Sequence, residues 1–418
     1  GTAYAKPMTA EKELTYTVQP GGRMNGRIRV PGDKSISHRS IMLGSIAEGV
    51  TEVSGFLEGE DALATLQAFR DMGVVIEGPE RGRVRVHGVG LHGLKPAPGP
   101  LYVGNSGTSM RLLSGILSAQ PFDTVMTGDA SLTKRPMERI AKPLRLMGAD
   151  IQTTGERGTP PVSVHGASTA AKGGLKGIHY DMPVASAQVK SGVLLAGLWA
   201  DGETSVTEPA PTRDHTERML KGFGYEVSVQ GATASLRGGG KLTATKIDVP
   251  SDISSAAFFL VAASIAPNSD LTLEHVGINP TRVGVINILK AMGGNLEVFN
   301  EREIGGEPVA DIRVRSAQLK GINIPEDQVP LAIDEFPALF IAAACAEGTT
   351  VLTGAEELRV KESDRIQVMA DGLAILGISA EPTPDGIVIQ GGQLGSGEVV
   401  SHGDHRIAMS FSMAGLRA

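Results

Sequence analysis

Gly32-Asp33-Lys34-Ser35-Ile36-Ser37-His38-Arg39-Ser40 leads directly into the apolar Ile41-Met42-Leu43. A glycine turn, then a lysine, three hydroxyls and an arginine before an apolar run, has the pattern of an anion site at a helix start. The first turn of a helix leaves N–H groups unpaired and carries partial positive charge. Cations and serines placed there add to an existing attraction for phosphate or carboxylate. Related starts recur at Asn105-Ser106-Gly107-Thr108-Ser109-Met110-Arg111, Ser186-Ala187-Gln188-Val189-Lys190, Ser251-Asp252-Ile253-Ser254-Ser255, Asp334-Glu335-Phe336-Pro337 and Asp404-His405-Arg406. Each offers Ser, Asn or Asp as N-cap.

Between these starts a second signal repeats. Met72-Gly73, Met147-Gly148, Phe223-Gly224, Met292-Gly293 and Leu376-Gly377 each end an amphipathic segment and precede a short alternating strand, at intervals of roughly 70 to 85 residues. Each glycine fits the left-handed residue that closes a helix, here over 61–72, 136–147, 214–223, 282–292 and 364–376. The unit is therefore helix, strand, helix, strand, strand. Five units and the start of a sixth are visible, so the chain reads as cut short within the sixth. Residues 14–18 and 27–30 are expected to supply closing strands. Six units divide into two domains of three, 32–247 and 1–31 plus 248–418, with chain crossings at Pro31-Gly32 and Ile247-Asp248-Val249-Pro250. Gly/Pro crossings of this kind serve as hinges, and the expected consequence is a cleft that closes over ligand.

A chain of 418 residues exceeds one ordinary core. Its net charge of -7 argues against a nucleic-acid coat or a polybasic membrane surface, so any anion site must be local. One cysteine, Cys345, excludes an internal disulfide framework and points to a reducing compartment. No apolar run suits a membrane span and the first residues lack a signal-peptide core, so the expected location is the cytoplasm.

Several motifs have ordinary explanations. Gly88-Val89-Gly90-Leu91-His92-Gly93 matches G-x-G-x-x-G, but the proline-rich sequel Leu94-Lys95-Pro96-Ala97-Pro98 cannot open the required helix. Asp33-Lys34-Ser35 lacks the glycines of a nucleotide-binding loop. His402-Gly403-Asp404-His405 has no third metal ligand nearby in sequence, and capping by Asp404 accounts for it. Cys345, within Ala342-Ala343-Ala344-Cys345-Ala346, reads as a small apolar packer.

The basic residues are harder to dismiss. Lys34, Arg39, Arg111, Arg135, Arg213, Lys361, Arg365 and Arg406 all fall in or beside a first helical turn. In an acidic protein this describes a focused cationic pocket for small substrates bearing phosphate and carboxylate groups. Asp334 and Glu362 stand among these cations. As structural residues they are a helix cap and a salt-bridge partner; as functional ones, a general base and a proton carrier.

These stretches resemble the enolpyruvyl transferase family over essentially the whole chain, in the branch acting on shikimate 3-phosphate. The carriers are Gly32 through Arg39, Gly104-Asn105-Ser106-Gly107-Thr108-Ser109-Met110-Arg111, Arg359-Val360-Lys361-Glu362-Ser363-Asp364-Arg365 and Asp404-His405-Arg406-Ile407-Ala408-Met409. Gly128-Asp129-Ala130-Ser131-Leu132-Thr133-Lys134-Arg135-Pro136 and Ala185-Ser186-Ala187-Gln188-Val189-Lys190-Ser191 are further similar to a bacterial class described as glyphosate-tolerant. The resemblance implies two inside-out α/β barrel domains, each of three βαβαββ units. It also implies enolpyruvyl transfer from phosphoenolpyruvate to the 5-hydroxyl of shikimate 3-phosphate, with no cofactor and no metal. By the same resemblance Lys34, Ser35, Arg39, Ser186, Ala187, Gln188, Arg213, Asp334 and Lys361 hold shikimate 3-phosphate. Lys34, Gly107, Arg135, Gln188, Arg365 and Arg406 surround phosphoenolpyruvate. Asp334 takes the hydroxyl proton, and Glu362, with Lys34, moves protons at the methylene carbon. The expected partners are these small molecules, with neither nucleic acid nor membrane, on a monomer.

Two departures stand out. The family carries a further lysine beyond the end of this sequence, and Gly107 stands where the tolerant class typically has Ala, which implies a glyphosate-sensitive enzyme. The competing assignments are the sister transferase acting on UDP-N-acetylglucosamine, which usually places a cysteine or aspartate on a loop of the first half, and a non-catalytic anion-binding protein on the same repeats.

Overall fold

The computed structural model describes residues 17–19 and 22–417. The opening residues 1–7, most of the strand expected at 14–18, and Ala418 lie outside the described residues. The chain divides into two compact units. The middle unit comprises Gly32–Val249 and Glu303–Glu307; the terminal unit comprises the described residues up to Pro31, Pro250–Arg302, and those from Pro308 onward.

The middle unit holds helices α1 (Lys34–Ile46), α2 (Glu60–Asp71), α3 (Gly107–Ser118), α4 (Glu138–Leu146), α5 (Ala187–Gly197) and α6 (His215–Gly222). Its three four-stranded sheets share one topology. Leu101–Tyr102 lies parallel to Asp123–Thr127, which pairs antiparallel with Val162–His165, which in turn pairs antiparallel with Ile151–Thr153. His179–Asp181, Glu203–Thr207, Thr233–Arg237 and Ser228–Gln230 repeat that order. The third sheet takes its parallel strand from the far end of the segment, Lys246–Asp248 beside Glu48–Ser54. Each sheet with its helices is thus a βαβαββ unit.

The alternate helices α1, α3 and α5 are buried almost all round, including the polar His38, Arg39 and Lys190, whereas α2, α4 and α6 keep a polar face. Burying the first helix of each unit gathers the three helix starts at one end of the unit's core. Close approach of α3 and α5 depends on glycine: a Cβ on Gly115 would stand 2.0 Å from the Gly192 carbonyl oxygen.

The terminal unit holds α7 (Ile253–Ile265), α8 (Gly284–Ala291), α9 (Phe336–Ala344), α10 (Arg365–Ile375) and α11 (His405–Ala414). Every residue of α7 and α9 is buried. Strand Arg23–Ile28 lies parallel to Asp270–Gly277 in a five-stranded sheet. It begins earlier than the expected 27–30 and stops at Ile28, because the Val30 and Pro31 carbonyls beyond it accept bonds from the Ser251 hydroxyl and the Asp252 amide instead of continuing the ladder. The second sheet, Thr349–Leu352, Gly386–Gln390 and Ser379–Thr383, has only parallel bridges at Lys320 and Asn323 in place of an opening strand.

The five helix-closing glycines, Gly73, Gly148, Gly224, Gly293 and Gly377, all have φ between 79° and 103°. Among the described residues no helix is long and apolar enough to cross a membrane.

Candidate active site

In the middle unit the starts of α1, α3 and α5 border a cavity of about 210 Å³ lined by Lys34, Ser35, His38, Asp61, Asn105, Ser106, Gly107, Thr108, Arg135 and Gln188. Asp33 caps α1 through the Ile36 amide (2.9 Å), Ser106 caps α3 through the Ser109 amide (3.0 Å), and Ser186 caps α5 through the Val189 amide (3.2 Å). The remaining first-turn amides and aligned dipoles favour an anion there.

Lys34 Nζ lies 2.6 Å from Asp61 Oδ2, while Asp61 Oδ1 accepts the Asn105 amide at 3.1 Å. Burial pushes the Asp61 carboxyl up, but the Lys34 ammonium and the Asn105 amide outweigh it and hold the group below its ordinary value. Gln188 is fixed at both ends: Oε1 accepts from an Arg111 guanidinium nitrogen at 2.6 Å and Nε2 donates to Thr108 Oγ1 at 2.8 Å. Arg135 donates to Asn105 Oδ1 at 3.5 Å. A Cβ on Gly107 would stand 2.6 Å from one Arg111 nitrogen and 3.2 Å from one of Arg135, so the bare backbone is what admits both guanidinium groups.

Arg39 does not line this cavity. It is buried, donating from Nε to Thr216 Oγ1 (2.8 Å) and from its terminal nitrogens to the Ser35 carbonyl (3.1 Å) and Ser191 Oγ (3.4 Å). Burial lowers its pKa to about 10, opposed by Asp33, Glu217 and Glu307, while Arg213 is close enough to push it further down. Behind it, Lys190 Nζ sits 3.0 Å from both Glu208 and Glu217. Glu208 also accepts from Thr212, which fixes the segment carrying Arg213.

In the terminal unit Asp334 does not cap α9. It lies in a short 3-10 turn, Ile333–Glu335, and the cap position belongs to Glu335, which makes no capping bond. Pro337 within the first turn of α9 removes an amide that a cap would have served. The Asp334 side chain faces cations instead: Lys361 Nζ and an Arg365 guanidinium nitrogen each lie 3.6 Å from Oδ1. The Arg406 guanidinium donates to the Asp334 carbonyl at 3.4 Å.

Arg365 is the hub of this cluster. Its side chain is 1% exposed, with Nε donating to Asp404 Oδ2 at 2.9 Å and another nitrogen paired with Glu362. Asp404 caps α11 and accepts from Ser363 Oγ at 2.9 Å. Burial pushes its carboxyl up, yet Arg365 and Ser363 bring it below the ordinary value. One buried Arg365 nitrogen, Nη1, has no acceptor within hydrogen-bond distance among the described residues and is the nitrogen that faces the Asp334 carboxylate at 3.6 Å. Glu362 is largely exposed.

Sequence reasoning missed His38, Asp61, Asn105 and Thr108 as cavity residues and took Asp404 as a cap alone. Asp61 entered only as the first residue of the helix expected over 61–72, and His38 carried one clue, its position one helical turn after Lys34. At His402 to His405, Asp404 is committed to Arg365, and among the described residues there is no group of three His, Cys, Asp or Glu placed to hold a metal.

Comparisons with known proteins bear on the family and the fold. Residues 18–418 match the family profile described as EPSP synthase (3-phosphoshikimate 1-carboxyvinyltransferase). A curated 3-phosphoshikimate 1-carboxyvinyltransferase from Methylococcus capsulatus is 69% identical over 98% of this chain and 92% of its own length. One from Nitrosococcus oceani is 64% identical over 98% of this chain and 91% of its own. Among solved structures, an EPSP synthase from Acinetobacter baumannii is 70% identical with a TM-score of 0.92, covering 97% of this chain and 92% of that one. The architecture is accordingly the enolpyruvyl transferase fold of two inside-out α/β domains. The shared repeats, the first-turn cations and this similarity over nearly the full length lead to one conclusion: the chain belongs to the EPSP synthase (3-phosphoshikimate 1-carboxyvinyltransferase) family.

Proposed function

We propose that this chain transfers the enolpyruvyl group of phosphoenolpyruvate to the 5-hydroxyl of shikimate 3-phosphate and releases inorganic phosphate, as its family does. The observation that carries the assignment of roles is the Asp334 carboxylate, 3.6 Å from both the Lys361 ammonium and the Arg365 guanidinium. Opposite charges at that range favour the ionised carboxylate, the form that accepts a proton.

In the addition step Asp334 takes the proton of the 5-hydroxyl as its oxygen bonds to C2 of phosphoenolpyruvate, and Glu362, with Lys34, protonates the C3 methylene. In the elimination step a C3 proton returns to the protein, the C2–C3 double bond re-forms and the C2–O bond to phosphate breaks. Both steps keep the phosphate and carboxylate charges beside fixed cations, which stabilise the tetrahedral intermediate without rearrangement.

Lys34, Ser35, Arg39, Ser186, Ala187, Gln188, Arg213, Asp334 and Lys361 hold shikimate 3-phosphate in this reading. Lys34, Gly107, Arg135, Gln188, Arg365 and Arg406 hold phosphoenolpyruvate. The half-exposed Lys34 and the polar atoms of Gln188 at the cavity wall support their place in both sets. The chain acts as a cytoplasmic monomer in this reading, which sedimentation of the purified protein tests. The sister reaction on UDP-N-acetylglucosamine is disfavoured by family membership and by Cys345, the single cysteine, which is buried at the end of α9.

The test is phosphate release with each substrate omitted in turn and UDP-N-acetylglucosamine offered as replacement acceptor. Release should require shikimate 3-phosphate and phosphoenolpyruvate together; release with the nucleotide sugar instead defeats the assignment. Asp334→Asn should lower kcat by about 10² to 10⁴ while shikimate 3-phosphate still binds. An unchanged kcat removes Asp334 from the role of base.

A further inference from the structure

We infer that His38 is a positioning residue that sets the phosphoenolpyruvate side of the cavity, by tying the start of α1 to the start of α3 through Thr65 and Ser109. The inference rests on the substrate assignment above. His38, Thr65 and Ser109 are buried, and they come from three different helices, α1, α2 and α3. His38 Nδ1 lies 2.8 Å from Thr65 Oγ1 and 3.0 Å from Ser109 Oγ, and the two hydroxyls are 2.7 Å apart. The three groups form a closed triangle.

A second, open chain of contacts through Asp61 lies one turn nearer the helix starts. Lys34 precedes His38 by four residues and Asp61 precedes Thr65 by four, so each pair shares a helix face. Asn105 stands just before the α3 cap, Ser106. Lys34, Asp61 and Asn105 are joined at 2.6 and 3.1 Å, and all three line the cavity. This outer layer contains a half-exposed lysine, and an ion pair so placed contributes little rigidity in water. The inner layer is shielded from solvent and sits where displacement of one helix must be felt by the others.

Two separate ties therefore act on α1. Toward α5 and α6 it is held by Arg39 with Thr216 and Ser191. Toward α2 and α3 it is held by His38 with Thr65 and Ser109. Gly107 and the Arg135 contact at Asn105 lie on the α3 side, whereas Ser186, Ala187 and Arg213 lie on the other. Loosening the histidine tie should shift Lys34 against Gly107 and Arg135, whereas the shikimate 3-phosphate contacts carried outside α1, Ser186, Ala187 and Arg213 among them, stay in place. The ring does this uncharged, since burial and the neighbouring Lys34 lower its pKa to about 3.

The experiment compares steady-state constants of His38→Leu, His38→Asn and His38→Gln with the parent chain. Asn places a polar atom where Nδ1 stands; Gln reaches toward Nε2, which is buried and has no partner among the described residues. His38→Leu should raise KM for phosphoenolpyruvate about tenfold and KM for shikimate 3-phosphate less than about twofold, and Asn should restore most of the loss. Equal rises for both substrates, no rise, or restoration by Gln and not Asn would each overturn the inference. If His38→Leu fails to fold, Thr65→Val and Ser109→Ala take its place, and either leaving KM for phosphoenolpyruvate unchanged is equally decisive against it. A parent chain that releases no phosphate from the two substrates would instead refute the functional reading on which the inference stands.

Discussion

Replacing His38 by Asn should flatten the acid dependence of stability in the middle unit. In the folded chain burial, followed by the charge of Lys34, carries the His38 pKa from 6.5 down to about 3. Between those two values the unfolded chain binds a proton that the folded chain refuses. The contribution of this group is therefore fully present above about pH 6.5 and is lost as pH falls through the window below it. From about pH 7.5 to about pH 5 the loss comes to about 2 kcal/mol. Most carboxylates whose pKa is lowered on folding, Asp61 among them, titrate below this range and leave the upper window to histidine. Glu217, whose burial raises its pKa, contributes with the opposite sign, but equally in both proteins. Urea unfolding can be followed at Trp199, the only tryptophan, which lies in the same unit and donates from Nε1 to the Leu91 carbonyl. The parent should lose about 2 kcal/mol over the window and His38→Asn almost none of that share. Identical pH slopes would falsify the account of a buried, neutral imidazole.

Three further outcomes are expected. Gly107→Ala introduces a methyl 2.6 Å from an Arg111 nitrogen that also holds Gln188, so KM for phosphoenolpyruvate should rise by the equivalent of about 1–3 kcal/mol. The inhibition constant for the longer glyphosate should rise more, from a sensitive parent; a parent already resistant contradicts the reading of Gly107. Arg365→Met leaves Asp404 buried without its partner and should cost the terminal unit about 3–5 kcal/mol in thermal or urea unfolding, a loss that a mere surface pair would not produce. Cys345 is buried and its thiol is pushed up to about 11 by burial, so a disulfide reagent at neutral pH should label it only after unfolding. Rapid labelling of the native chain would show that α9 opens.

Much of the fold was legible because its signals are local. Five helix-closing glycines marked the repeat, since only glycine adopts their positive φ without cost, and every one of them does so. First-turn cations marked candidate site residues because helix starts attract anions whatever surrounds them, and of these Lys34 and Arg135 line the cavity while Arg39 is buried beside it. Cys345 read as an apolar packer from its alanine neighbours alone, and it is buried.

What tertiary structure decided was how side chains on different elements are shared out. Asp334 looked like a cap in sequence, yet Pro337 and the 3-10 turn release it to face Lys361 and Arg365. Asp404 looked like nothing more than a cap, yet it also anchors the buried Arg365. His38, Thr65 and Ser109 are separated by 27 and 44 residues and share no motif, so only the packing of three helices joins them. Helix periodicity and glycine conformation depend on neighbours a few residues away and can be read along the chain. Burial, desolvation and long-range pairing depend on atoms brought together by folding, and for that reason only the structure revealed them.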